Sequence, residues 1–308
     1  MFWLALGFIL CLTPPVVQGA TDDFVWCYHN ASCNDATWPS NIPKFCNGSR
    51  QSPINIVSQD ATLDTNLTAF NFTNYDSKSV LTKIENTGET IKVTFGSGVA
   101  LSGGGLSGTY DSLQFHLHWG NGSSVPGSEH TVDGKRYPME FHIVSIKSQY
   151  NGNTSLATED STGAAALGFF IDVDENTTGE PAAWKTLTSY LSNITLEGQS
   201  VTMSEGISLD DLLPGVNRSR YYRYLGSLTT PLCYEIVVWT VFKESVKISK
   251  DLIDKFANTV HIGNSTSTPL LTNCYRNVQP AQSVTQSSSS KINFSYGLIV
   301  LIVALCMR

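Results

Sequence analysis

Charge is scarce in this chain. Only 15% of its 308 residues are Asp, Glu, Lys or Arg. No run rich in Lys and Arg occurs, which excludes a nucleic-acid binder that works by neutralising phosphates. The balance is acidic, with 19 basic against 26 acidic residues and a formal net charge of -7. Internal repeats are lacking, so a solenoid or propeller is excluded. None of the 7 cysteines forms a Cys-x-x-Cys pair, which removes the usual structural-zinc and redox motifs of that type. No apolar run reaches the roughly 20 residues of a membrane-spanning helix. Histidine is rare too, at 6 residues. What the chain has is apolar surface: 41% of it is hydrophobic, enough to bury a sizeable core and too much for a disordered chain.

The two ends read as processed segments. Residues 1–20 carry no charge, and Phe2 to Leu12 is apolar, followed by Pro14, Pro15 and the small pair Gly19-Ala20. This is the pattern of a secretory signal peptide without the usual basic start, a buried N-terminal helix being the alternative. At the other end, Ser283 to Ser290 is polar and small. An apolar tail of 13 residues follows from Phe294 to Cys306. Small residues, a polar spacer and a short hydrophobic tail are the signature of a glycosylphosphatidylinositol (GPI) anchor signal; a short true span and a soluble chain are the competing readings. The expected organisation is a signal peptide over 1–20, one domain over 21–282, and an anchor spacer with a removed tail over 283–308. A serine between Ser283 and Ser290 would carry the lipid. Processing removes Lys291 and Arg308 and no acid, so the net charge of -7 becomes about -9.

Acceptor sites for N-linked sugar point the same way. Asn-x-Ser/Thr occurs at Asn30, Asn47, Asn66, Asn71, Asn121, Asn153, Asn176, Asn193, Asn217 and Asn264, with one more at Asn293 in the tail. Such sites belong to surface loops of secreted chains. Cys27, Cys33, Cys46, Cys233 and Cys274 remain after processing, and outside the cell disulfides are their natural state. Any four of them allow three pairings, and spacing chooses none.

Period-two alternation dominates the interior. Thr90–Phe95, Ser112–Trp119, Met139–Ile146 and Cys233–Phe242 alternate and are rich in β-branched and aromatic residues, as strands are. Ala165–Val173 is nearly all apolar, as expected of a strand buried on both faces. Gly103–Gly105, Gly120–Gly122 and Asp133-Gly134 are turn signals. Pro181–Leu191 and Lys250–Val260 are the best helix candidates. The expectation is a mainly β (α+β) single domain, built on a large, mostly antiparallel twisted sheet with short surface helices.

Histidine placement carries the chemistry. His116 and His118 lie two apart in an alternating strand, so both imidazoles leave the same face. His142 sits on the next strand-like segment. If the two strands pair, three imidazoles converge. Three neutral nitrogen ligands with one open position are a catalytic zinc geometry, and the absence of thiolates disfavours copper(I) or iron–sulfur. An isolated His-x-His is more often a structural pair, and spacing alone leaves both readings open.

Longer blocks narrow the choice. Gln51-Ser-Pro-Ile-Asn55, Ser112–Gly120, Gly127-Ser-Glu-His-Thr-Val-Asp-Gly134, Met139–Val144 and Tyr224–Pro231 resemble, in order, the α-carbonic anhydrases. The resemblance runs from about Trp26 to Pro280. The tail and the early cysteines make the chain most similar to the membrane-anchored isozyme IV group. The resemblance implies the α-carbonic anhydrase fold and zinc-dependent, reversible hydration of carbon dioxide to bicarbonate and a proton, by attack of zinc-bound hydroxide. It implies Zn2+ on His116, His118 and His142, with Gln114 and Glu140 orienting two of these rings. Thr229 would accept a hydrogen bond from the attacking hydroxide and donate its own to Glu129, Thr230 would lie beside the substrate, and Val144, Ala166, Leu228 and Trp239 would form the apolar wall for carbon dioxide. His130 matches a buried structural histidine, and His29 and His261 have no motif around them. Cys46 with Cys233 and Cys27 with Cys33 match the family's bonds, which leaves Cys274 buried and inert or joined to another chain.

The resemblance also implies sulfonamide-type inhibitors, a place on the extracellular face of the plasma membrane through a GPI anchor, and bicarbonate transporters as candidate partners. Two departures stand out. Glu89 occupies the position of the usual proton-shuttle histidine, and a carboxylate titrating near 4.3 relays protons poorly at neutral pH. Ala166 stands where a valine is usual, which recesses the wall. The alternative function is a catalytically silent carbonic-anhydrase-like surface binding protein; silent relatives typically lose a zinc histidine, and all three are present here.

Overall fold

A strand with every second residue buried needs neighbours on both sides for its backbone polar groups, and the alternating segments supply them to one another. The computed structural model describes residues 25–204 and 206–288. The expected signal peptide and hydrophobic tail lie outside these residues. Within them, a 13-stranded sheet takes up most of the alternating segments. Its main path runs Ser200–Thr202, Leu81–Asn86, Ile91–Phe95, Tyr110–Trp119, Met139–Lys147, Ala164–Asp174, Val237–Phe242, Tyr221–Gly226, Thr285–Ser287, Thr62–Asp64. Most neighbours are antiparallel. Ala164–Asp174 is the exception on the path's interior, running parallel to Val237–Phe242.

The apolar run behaves as its composition requires. Ala164 to Ile171 is buried throughout. Its alternate residues serve two cores: Ala165, Leu167, Phe169 and Ile171 face one cluster, Ala164, Ala166 and Phe170 the other. The first cluster is closed by helices over Ala182–Ser189 and Lys250–Thr259, which press Trp184, Leu187, Leu252 and Phe256 onto it. Each such side chain contributes about 1.5–3 kcal/mol when fully buried. With that face covered by helices, the other is left to build a site.

One expected strand is shorter than its composition suggests. Cys233–Phe242 is a strand only from Val237. Cys233 has φ 52 and is tied to Cys46, and a left-handed residue cannot continue a ladder. The disulfides are Cys27–Cys33 and Cys46–Cys233. The second spans 187 residues, so on a chain-entropy argument it removes much freedom from the unfolded state. Cys274 is free and buried; burial pushes its thiol far above the usual range, so it stays protonated.

The sheet also reaches into the stretch read as spacer. Thr285–Ser287 pairs with Tyr221–Gly226 on one side and Thr62–Asp64 on the other. Ser287 is buried, its hydroxyl accepting from the Tyr221 N–H and donating to the Ser219 carbonyl. All ten sequon asparagines from Asn30 to Asn264 are exposed. No helix among the described residues is long and apolar enough to cross a membrane.

Candidate metal centre

The strands Tyr110–Trp119 and Met139–Lys147 pair antiparallel, with His142 opposite His116 and Glu140 opposite His118. Residues directly opposite on such a ladder share a face. That register brings the third imidazole to the first two. Ring centroids lie 5.0 Å (His116–His118), 5.3 Å (His116–His142) and 4.7 Å (His118–His142) apart. One nitrogen from each ring falls within 4.8 Å of the others, a grouping able to hold a metal ion.

Every ring has its other nitrogen committed. His116 Nδ1 is 3.1 Å from Gln114 Oε1, His118 Nδ1 is 2.8 Å from the Cys274 carbonyl, and His142 Nε2 is 2.8 Å from Glu140 Oε1. Each of these oxygens accepts an N–H, which fixes the tautomer and leaves the opposite nitrogen's lone pair facing the centre. His118 Nε2 is buried and has no hydrogen-bond partner. A buried imidazole nitrogen aimed at two others without a partner is a costly arrangement unless something binds there. Burial lowers the pKa of His116 strongly, helped by the two neighbouring histidines. Burial lowers His118 as well, and the Glu129 charge only partly opposes it. Both rings therefore stay neutral, the state that ligates a cation.

Glu140 anchors a second layer. Its Oε2 accepts the His130 backbone N–H, and its Oε1 lies 2.7 Å from His130 Nδ1 as well as accepting from His142. Burial acts to raise this carboxyl, and the two histidines outweigh it, holding it well below the usual range. His130 Nε2 is 2.6 Å from the Tyr224 hydroxyl. His130, Glu140 and His142 also form a three-donor group, but these contacts already occupy its atoms. His130 is thus a buried structural residue, as expected. Gly168 faces His142 across the next ladder, and a Cβ there would come within 2.9 Å of Glu140 Oε1.

Two cavities meet at the imidazoles. The apolar one, about 120 Å³, is lined by Val144, Ala166, Leu228, Trp239, Thr229 and Thr230 together with His116 and His142. All six expected substrate residues thus stand on one wall. Sequence reasoning missed Ala164 and Val237, which share it; both lie two residues from an expected wall residue on the same strands, so the period of two was a usable signal. The second cavity, about 220 Å³, brings Glu89, Lys92, Tyr28, Thr87 and Thr230 to His116 and His118. Glu89 therefore lines the same space as the histidines. Lys92 lies three residues from Glu89, so the period of two did not mark it. The Cys274 carbonyl carried no signal, because a backbone acceptor 156 residues away depends on no side chain.

Glu129 departs from expectation in one respect. Its Oε1 accepts the Arg276 backbone N–H at 2.8 Å. Its Oε2 is buried without a hydrogen-bond partner, so the bond from Thr229 implied by the resemblance is not formed in this structure. The oxygen instead faces the imidazoles, 3.4 Å from His118 Nε2 and 3.9 Å from His142 Nδ1.

A broad twisted sheet carrying three convergent imidazoles, at the junction of two cavities, defines an enzyme site with room for one metal ion. The sequence places it more closely: residues 33–288 match the model of the eukaryotic-type carbonic anhydrases, and the chain belongs to that family. It is 39% identical over 244 residues to carbonic anhydrase 4 of Oryctolagus cuniculus, covering 79% of this chain and 77% of that protein. It is 35% identical over 257 residues to carbonic anhydrase 6 of Homo sapiens, covering 83% and 80%. Carbonic anhydrase 12 of Homo sapiens is 33% identical over 240 residues, 78% of this chain and 64% of that protein.

Proposed function

We propose that the chain is a zinc-dependent carbonic anhydrase acting on carbon dioxide and bicarbonate at the outer cell surface. The observation that carries this reading is the imidazole cluster: three free ring nitrogens within 4.8 Å of one another, each opposite nitrogen already held by an oxygen. His116, His118 and His142 would hold the ion. Nitrogen-only ligands that leave a position open suit catalytic zinc. Bound zinc supplies Lewis acidity, which in carbonic anhydrases brings the pKa of coordinated water to about 7, a property of the family rather than of this chain.

The chain's own residues do the remaining work. Gln114, the Cys274 carbonyl and Glu140 hold the three rings at fixed angles. Val144, Ala166, Val237, Leu228 and Trp239 offer carbon dioxide, a nonpolar molecule, an apolar wall beside the imidazoles. In this reading the Thr229 hydroxyl donates a hydrogen bond to Glu129 Oε2, the buried carboxylate oxygen that lacks a partner. Thr229 Oγ1 is then left as an acceptor only, and it aims the attacking water by accepting a hydrogen bond from it, an orientation effect. Forming that bond is part of the proposal. Glu89 lines the way out for the proton.

Two disulfides and ten exposed sequon asparagines support passage through the secretory pathway. The short apolar tail supports a GPI anchor, the lipid joining the chain after the last strand of the sheet.

Zinc analysis and a carbon dioxide hydration assay test the reading on the natural protein and on His142→Ala. The natural protein should hold one zinc per chain and hydrate carbon dioxide, and the variant should bind zinc weakly with negligible activity. Unchanged zinc content and activity in the variant would remove His142 from the site.

A further inference from the structure

We infer that Lys92 is an anion-recognition residue at the mouth of this site, drawing bicarbonate and other small monovalent anions toward the three imidazoles. The inference rests on the zinc reading above. Lys92 lies opposite His116 across the antiparallel ladder between Ile91–Phe95 and Tyr110–Trp119. Side chains so paired leave the same face of the sheet with their Cβ atoms about 5 Å apart. The lysine stem therefore rises from the cavity wall next to an imidazole of the cluster. Lys92 lines the second cavity with His116, His118, Glu89 and Thr230, and its side chain is 34% exposed. The ammonium thus reaches solvent while its base stands at the site.

Charge balance decides whether such a lysine attracts anions or is cancelled. Lys92 Nζ lies 2.8 Å from Glu85 Oε1. The other oxygen of Glu85 is already held by Lys83. One carboxylate shared by two ammonium groups leaves the trio with a net positive charge. Glu89, the carboxylate lining the same cavity, offsets that single positive charge, so Lys92 is the group that keeps the mouth from carrying a net negative charge. The chain as a whole carries -7, so its general field repels bicarbonate. A local cation at the mouth opposes that field where the anion must pass. The equilibrium between carbon dioxide and bicarbonate ties the two directions of catalysis together, so the direct reading of this role is anion affinity rather than a ratio of rates.

The test uses the zinc-loaded full protein and calorimetric titration with thiocyanate as the anion and imidazole as the neutral ligand. Lys92→Met, Lys92→Arg and Lys92→Glu are compared, each with its zinc content. Lys83 continues to neutralise Glu85 in all three. A unit charge at this range, partly screened by water, is worth about a fivefold change in affinity. Thiocyanate should bind about fivefold more weakly to Lys92→Met, as tightly to Lys92→Arg as to the natural protein, and more weakly still to Lys92→Glu, with imidazole unaffected. Equal thiocyanate affinity in all four proteins, or equal losses for both ligands, would overturn the inference and leave the zinc reading standing. A natural protein that holds no zinc would overturn both.

Discussion

Replacing Glu89 by histidine asks how the proton leaves the site. Each hydration cycle releases one proton, which must cross from the imidazole cluster to bulk water. Glu89 lines the second cavity with His116 and His118, so its carboxylate is placed to take part. Burial raises its pKa; the bond with Thr87 and the charge of Lys92 oppose that rise, and Glu197 adds to it. An ordinary carboxyl and an imidazole differ by about 2 pKa units, which is about 3 kcal/mol or about 150-fold in the ease of taking a proton from a donor near pH 7. Burial moves Glu89 toward that donor and narrows the gap. The gain from Glu89→His should therefore lie below about 10²-fold, at the lower end of what positioned acid–base groups deliver. The assay is turnover of carbon dioxide against concentration of a small imidazole buffer. The natural protein should speed up with buffer while kcat/KM stays nearly constant, and Glu89→His should turn over faster in dilute buffer and respond less. Glu89→Ala separates a slow relay from an idle residue, since it lowers turnover only if Glu89 carries protons. A natural protein indifferent to buffer, with no gain in the histidine variant, would refute the reasoning.

Acid stability and membrane release give two further checks. Burial acts to raise Asp160, but the bonds from Lys147, Thr162 and Tyr150 outweigh it and hold the carboxyl well below the usual range. A depressed carboxyl stabilises the fold above its unfolded pKa near 3.9, and the contribution fades as pH falls through the folded value. Asp160→Asn should therefore cost about 1 kcal/mol in urea unfolding at pH 7 and progressively less below about pH 4; an undiminished cost at pH 2 would refute the assignment. Phospholipase specific for phosphatidylinositol should release the protein from cells, and protein that stays bound while a control anchor is fully cleaved would favour a true span.

Much of the molecule was legible before any fold was known. Alternation in Ser112–Trp119 and Met139–Ile146 marked both ligand strands, because a strand's facing repeats every two residues whatever surrounds it. The same local rule put His116 and His118 on one face and Gln114 beside them. The apolar run from Ala165 declared a strand covered on both sides. Tertiary structure decided what local periodicity cannot reach. The register that sets His142 against His116 is a property of the pair of strands, and a slip by one residue would have turned His142 to the opposite face. The Cys274 carbonyl meets His118, and Arg276 meets Glu129, only because segments far apart in the chain are folded together. Cys233 shows the limit from the other side: its neighbours favour a strand, yet the disulfide to Cys46 and a left-handed turn end the ladder at Val237. Local sequence determines which way each side chain faces along its own strand, and long-range pairing determines which side chains meet, because only the folded chain sets the distances between segments.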